Sequence, residues 1–488
     1  MEQDNGLDNK KLVKEKIDFY VNDREPHHHS HHSHHSHHNS SHSNHKKHHK
    51  KHHKKHTSGS KKSCFPRIKE AINKKVSNKV NVLLVLTVLL AMLISISTLY
   101  VLETRDRDYL GDYQGGTNVN ESQQGNQVPE YIPTANVEIP SYWKNMIEEK
   151  TEIVKSLQAA GGKDCVSFVW ASDTHIPDNS NARTNDLGKL MAKMMDNCDI
   201  PFAVITGDIG TRSSLDTEAE FVKTQKMIPI HLAPLWGTDR LLVGLGNHDG
   251  CYGDASCYYQ KQFSPERMWD LYFRNQALDS RRVFSEDGFY YYIDNIAYKI
   301  RIIILNSQYG GEFETDSNGV ATNNRFSTSC YGQKQLDWLS DVALDMPEGY
   351  GAVITAHVPP NVTYTVDKVQ LIGIINAYCN KTTYRGSYTT GIEGWTNNSI
   401  EVDFTGAKGE IIAMFTGHVH QDTIDTTTLV CPLITIISAG AQVNDGEIPV
   451  RTFYTDQETS FDVVTINRKT RTIHLTRVGY GEDRLVRY

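Results

Sequence analysis

Six short apolar runs constrain this chain more than any other feature: VSFVW (166–170), FAVIT (202–206), LLVGL (241–245), RIIIL (301–305), AVITA (352–356) and IIAMF (411–415). Each is rich in β-branched or aromatic residues, is too short for a helix and stops at a polar residue. The pattern predicts strands buried on both faces. Helical stretches lie between several of them, so the reading is an α/β domain whose sheet is covered on both sides. Ligands in such folds gather where loops converge at the strand ends.

The residues at those ends are unusual. After VSFVW comes Ser172-Asp173-Thr174-His175, after FAVIT comes Gly207-Asp208, and after LLVGL comes Gly246-Asn247-His248-Asp249. His357 follows AVITA, and Gly417-His418-Val419-His420 follows IIAMF. Carboxylate, amide and imidazole are hard or borderline donors suited to divalent metals. Five of the seven histidines outside an N-terminal tract fall in these blocks. His231 and His474 do not, and read as structural.

In this order, D-x-H, G-D, G-N-H-D, a separate H and G-H-x-H resemble the calcineurin-like metallophosphoesterase superfamily, over roughly residues 164 to 440. The Phe461-Asp462-Val463-Val464 and Arg477-Val478-Gly479-Tyr480-Gly481 segments are similar to a C-terminal strand pair in bacterial members. The resemblance implies a four-layer α/β/β/α sandwich with two metal ions of Mn, Fe or Zn type. It places Asp173, His175 and His420 on one ion, Asn247, His357 and His418 on the other, and Asp208 between them. It makes His248 the catalytic acid and gives Asp249 the task of holding the His248 ring, against the plainer reading of Asp249 as a turn cap. The implied activity is hydrolysis of phosphomonoesters or phosphodiesters. The rival reading is a non-catalytic surface receptor or scaffold that keeps the fold.

The first hundred residues have a different character. Sixteen of the 23 histidines lie between His27 and His56 among Ser, Asn and Lys, without apolar residues to form a core, so residues 1–79 are expected to be disordered. Residues 80–102 are 23 uncharged positions rich in Leu, Val and Ile, a helix of roughly 34 Å that predicts one membrane span. Residues 46–79 hold thirteen Lys and Arg against Glu70 alone, which places the N-terminus in the cytoplasm and the later domain outside. Residues 103–137 read as a flexible stem and 138–488 as the phosphoesterase domain, beginning with a helix over 141–159.

Charge bears on partners. The net charge of −7 divides into about −2 for residues 1–45 and +12 for 46–79, leaving −17 for the remainder (−7 + 2 − 12). An acidic domain repels polyanions, which argues against a nucleic-acid partner and leaves a small phosphate ester as substrate. Tyr384, Arg385, Tyr388 and Trp395, in the long polar stretch from Cys379 to Glu401, are candidate substrate contacts, as is the stretch from Asn306 to Tyr331. Cys251 and Cys257 enclose a short loop and are candidates for a disulfide on an oxidising side of the membrane.

Overall fold

A computed structural model describes residues 137–176, 186–210, 227–250, 265–274, 279–310, 317, 325–389, 398–440 and 451–488. The histidine-rich segment, the span expected over 80–102, nearly all of the stem, the Cys251–Cys257 pair and Trp395 lie outside the described residues. Among the described residues no helix is long and apolar enough to cross a membrane.

The apolar runs form strands in two sheets. The first has the order β15-β14-β13-β1-β2-β3, with β1 Cys165–Ala171, β2 Ala203–Thr206, β3 Leu241–Gly244, β13 Ser460–Asn467, β14 Thr472–Gly479 and β15 Arg484–Arg487. The second has the order β11-β12-β10-β7-β6-β5-β4, with β4 Arg282–Phe284, β5 Tyr291–Asn295, β6 Ile300–Ile304, β7 Gly351–Thr355, β10 Glu410–Thr416, β11 Thr423–Asp425 and β12 Leu433–Thr435. β8 Thr383–Tyr388 and β9 Asn398–Asp403 pair separately. In the first sheet β1, β2 and β3 run parallel, and in the second β6, β7, β10 and β12 do so. Each parallel set delivers its loops at one end.

Every residue of β1, β2, β3, β6 and β7 is buried, which explains apolar runs without alternation. Side chains of the two sheets interlock: the Phe415 ring of β10 stands edge-on to Phe168 and Trp170 of β1, with centroids 5.7 and 4.7 Å away. The expected N-terminal helix is present as α1, Lys144–Gly161, and buries Ile147, Ile153, Val154 and Leu157. It packs with α2, Leu187–Asn197, on the first sheet. Helix α3 is Pro265–Tyr272. Helices α4, Gln333–Trp338, and α5, Lys368–Asn380, cover the second sheet through Leu336, Leu371, Ile374 and Ile375.

β3 ends the first sheet, yet its outer edge is sealed by side chains from the second. The Tyr291 hydroxyl accepts from the Val243 N–H at 2.9 Å and donates to the Val243 carbonyl at 3.1 Å, while Arg282 donates to the Leu241 carbonyl at 2.9 Å.

Candidate metal centre

Asp173 and His175 leave β1, Asp208 leaves β2 and Asn247 leaves β3, while His357 follows β7 and His418 and His420 follow β10. The loops are bound to one another as well as to their strands. Asp173 N–H donates to the Gly207 carbonyl (3.0 Å), His175 N–H to Asp208 (3.0 Å), Gly417 N–H to His357 (2.9 Å) and Gly440 N–H to Asp173 (3.0 Å). Two glycines are required by close approach. A Cβ on Gly246 would sit 2.2 Å from Asp208 Oδ1, and one on Gly417 would sit 2.3 Å from Asp173 Oδ2.

The backbone is bent sharply to aim these side chains. Asp173, His175, Asp208, His418 and His420 have φ of 52, 41, 50, 70 and 53°. The left-handed region is sparsely used by residues other than glycine, though Asp and His enter it more readily than branched residues. Turning alternate residues of D-x-H and H-x-H this way directs both side chains of each motif into one space. Such strain, of order 1–3 kcal/mol per residue, persists where surroundings enforce it, and it collects at functional sites.

The side-chain geometry has two halves. On one side, His175 Nε2 and His420 Nε2 are 3.1 Å apart and His420 Nε2 is 3.2 Å from Asp173 Oδ1. On the other, His357 Nε2 is 3.1 Å from both Asn247 Oδ1 and His418 Nδ1, and the latter two are 2.9 Å apart. Asp208 Oδ2 lies 3.1 Å from His357 Nε2 and 4.0 Å from His175 Nε2, and so touches both halves. His357 Nδ1–H donates to the Thr206 carbonyl at 3.0 Å, so Nε2 is the ring atom turned to the cluster, and losing its proton would free a lone pair for a cation.

These donors fit cations. The convergent atoms are lone-pair acceptors, which cannot hydrogen-bond one another without extra protons. Two atoms each bound to one ion at about 2.0–2.1 Å can stand no more than roughly 4.2 Å apart, and the spacings seen lie within that reach. Charge points the same way. Burial opposes ionisation of Asp173 and Asp208, but the imidazolium of His357 and the neighbouring rings hold both well below the usual carboxylate range. Burial, then His248, pushes His175 down to about 3, and burial, then His357, pushes His418 down to about 4. Burial also works against protonating His357, yet Asp208 and Asp173 hold it up at about 9. Two buried carboxylate charges thus face a single imidazolium, an excess of negative charge that suits bound cations.

His248 lies at the rim with its side chain 22% exposed, Nε2 3.7 Å from Asp208 Oδ2, and its ring edge-on to His175 and Phe326. Asp249 differs from the sequence expectation. Its Oδ1 accepts from the N–H of Ile209 (2.9 Å) and Gly210 (3.2 Å), and its Oδ2 from Gly246 (2.8 Å). Among the described residues it has no bond to the His248 ring. Asp249 fastens the Asp208 loop to the Asn247 loop, as a turn cap does. Burial, then Asp208, raises it to about 7, against the pull of those amides.

His474 lies within β14 and His231 beside Leu232, both buried and outside the cluster. Tyr384 packs on Gly373 of α5 and donates to the Val369 carbonyl (3.3 Å), and exposed Arg385 pairs with Glu401 across the β8–β9 ladder (3.0 Å). Neither shows a bond to the cluster. Sequence reasoning passed over Tyr364, whose ring is 5.3 Å from that of His418, whereas Phe326, 5.1 Å from His248, lies in the 306–331 stretch it marked. A single tyrosine in a polar loop gave no signal.

Residues 166–422 match a family model described as calcineurin-like phosphoesterase. No curated protein matches the chain. Among solved structures, a dimetal phosphatase from Danio rerio is similar at 13% identity and a TM-score of 0.42, over 66% of this chain and 99% of that one. A 5'-nucleotidase from Candida albicans is similar at 14% identity and a TM-score of 0.31, over 62% of this chain and 51% of that one. At these scores neither likeness bears on substrate.

Proposed function

This chain belongs to the calcineurin-like phosphoesterase family, and from that premise we propose that it hydrolyses a small phosphate ester, mono- or diester, at a centre of two divalent ions. The observation that carries the reading is the pair of donor sets, Asp173/His175/His420 and Asp208/His357/His418, each with ligand atoms within 4.8 Å of one another. Asn247 completes the second set, and Asp208 lies between the two. Ions held there supply Lewis-acid charge for phosphoryl oxygens and make water nucleophilic near neutral pH. The helix, sheet, sheet, helix layering supports the site by bringing both groups of strand ends together.

The chain's own residues do the rest. Thr206 fixes the tautomer of His357, and Asp249 fixes the spacing of the Asp208 and Asn247 loops. His248, at the rim, protonates the departing oxygen, a role that suits an imidazole reachable by solvent. Phe326 stands against that ring and limits its tilt. The 23 uncharged residues 80–102, rich in Leu, Val and Ile, and the basic segment before them support a single-pass anchor, with the catalytic domain outside the cytoplasm. Protease treatment of intact cells that leaves the domain uncut would refute that orientation.

The activity is tested with the full-length protein on p-nitrophenyl phosphate and bis-p-nitrophenyl phosphate, with Mn(II) and after chelation, beside Asp208→Asn and His248→Ala. Metal-dependent turnover lost in both variants supports the proposal. Absence of turnover on every phosphate ester tried, with ions bound, sinks it in favour of a receptor or scaffold.

A further inference from the structure

The matched family segment stops at residue 422, but the residue there is tied into strands that lie beyond it. Asp422 is two positions after His420. Its carboxylate is gripped by the Arg477 fork, with Nη2 2.7 Å from Oδ1 and Nη1 3.0 Å from Oδ2. Arg484 Nη1 adds a contact to Oδ1 at 3.0 Å, and the Ile437 N–H donates to the same oxygen at 3.0 Å. Arg477 Nε in turn donates to Asp462 Oδ1 of β13 at 2.7 Å, and Arg484 pairs with the other Asp462 oxygen. Two arginines and two aspartates therefore alternate in a neutral ring. The Arg477 and Asp462 side chains are 1% and 0% exposed.

A planar fork on a carboxylate fixes direction as well as distance, and burial removes water as a competing partner. Three members of the ring belong to the C-terminal strands, and Asp422 is the fourth. At its other end the same loop is held by the centre itself, where the Gly417 N–H donates to the His357 carbonyl and the His418 N–H to Asp173 Oδ2 at 2.9 Å. His420 lies between these two anchors, with its Nε2 set 3.2 Å from Asp173 and 3.1 Å from His175.

We propose that Arg477 and Asp422 are a positioning pair for His420, so that the C-terminal strands set the geometry of the Asp173/His175/His420 half of the centre. This rests on the reading of His420 as a metal ligand. The test is calorimetric titration of Mn(II) into metal-free full-length protein, for wild type, Asp422→Asn and Arg477→Lys. Thermal unfolding and hydrogen exchange of residues 417–422 are followed on the same metal-free samples. Glu410→Gln is the comparison: Glu410 binds Arg468 and Arg471 at the opposite end of the strands, so its loss lowers stability and leaves the loop alone. The expected result is that one of two ions weakens by about 10–100-fold in Asp422→Asn and Arg477→Lys, with faster exchange in 417–422. Glu410→Gln keeps both affinities. Wild-type affinities in both positioning variants, whatever their melting temperature, overturn this inference alone. Wild-type protein that binds no ion overturns the metal reading, and this inference with it.

Discussion

Adding one methyl group at Gly246 should disturb both halves of the metal centre at once. The new Cβ would lie 2.2 Å from Asp208 Oδ1 and 2.5 Å from the Asp208 amide nitrogen, where ordinary contact begins at 3.4 Å. The loops must then part by 3.4 − 2.2 = 1.2 Å. The bond from the His248 N–H to Asp208 Oδ1, now 2.8 Å, does not survive such a displacement. Losing one bond to a charged acceptor costs about 1.5–3 kcal/mol, and overpacking adds about 1–3 kcal/mol. Gly246→Ala should therefore lose roughly 4 kcal/mol of stability in urea titrations of the metal-free protein. Because Asp208 touches both donor sets, Mn(II) calorimetry should show both affinities falling together, unlike the single-ion loss expected for Asp422→Asn. An unchanged urea midpoint with both ions bound as in wild type would refute the argument from close approach.

Other expectations follow from contacts already described. Phe415→Ala, which empties the space between Phe168 and Trp170 at the sheet interface, should lose about 3–5 kcal/mol in chemical denaturation; a loss below 1 kcal/mol would mean the interface collapses around it. Burial drives His474 down to about 4, with Asp483 opposing. The unfolded chain therefore binds a proton that the folded one refuses between pH 6.5 and 4. Stability is full above the unfolded value and falls with pH through that window, by at most about 3 kcal/mol. His474→Gln should flatten the urea midpoint over this range, and an equally steep profile would show that other groups govern it. Chelation should lower the melting temperature, since an ion at a hundred times its Kd stabilises by about 2.7 kcal/mol; identical melting with and without chelator would count against bound metal.

The cluster was legible because each of its donors follows an apolar run that reads as a buried strand, which put the donors at strand ends before the resemblance grouped them. The resemblance assigned Asp249 to the His248 ring, and the hydrogen bonds of Asp249 match the plainer reading of it as a turn cap. Turning at the Gly246 loop instead points its carboxylate at the amides of Ile209 and Gly210. Arg385 drew attention as a charged residue in a tyrosine-rich stretch, and the β8–β9 ladder pairs it with Glu401 in solvent. The ion ring was invisible for the opposite reason. In β14, Thr472–Gly479, polar and apolar residues alternate only as far as Thr476, and Arg477 then falls on the face of Ile473 and Leu475; the whole strand is buried and Arg477 meets Asp422 and Asp462. Sequence periodicity reports polarity, and cannot report that a charge has found its counter-charge inside.

The sealed edge of β3 bears on how molecules of this protein meet each other. An open strand edge is a template on which a second chain can polymerise, and proteins guard such edges against aggregation. Here the guard is a phenol and a guanidinium: Tyr291 answers both polar groups of Val243, and Arg282 answers the carbonyl of Leu241. An incoming β-strand would have to displace them before it could zip on. Tyr291→Phe would remove the phenol half of that guard with little change in shape, leaving Arg282 in place. With two polar groups of Val243 left unanswered, a partly unfolded or concentrated sample of that variant should aggregate more readily than wild type.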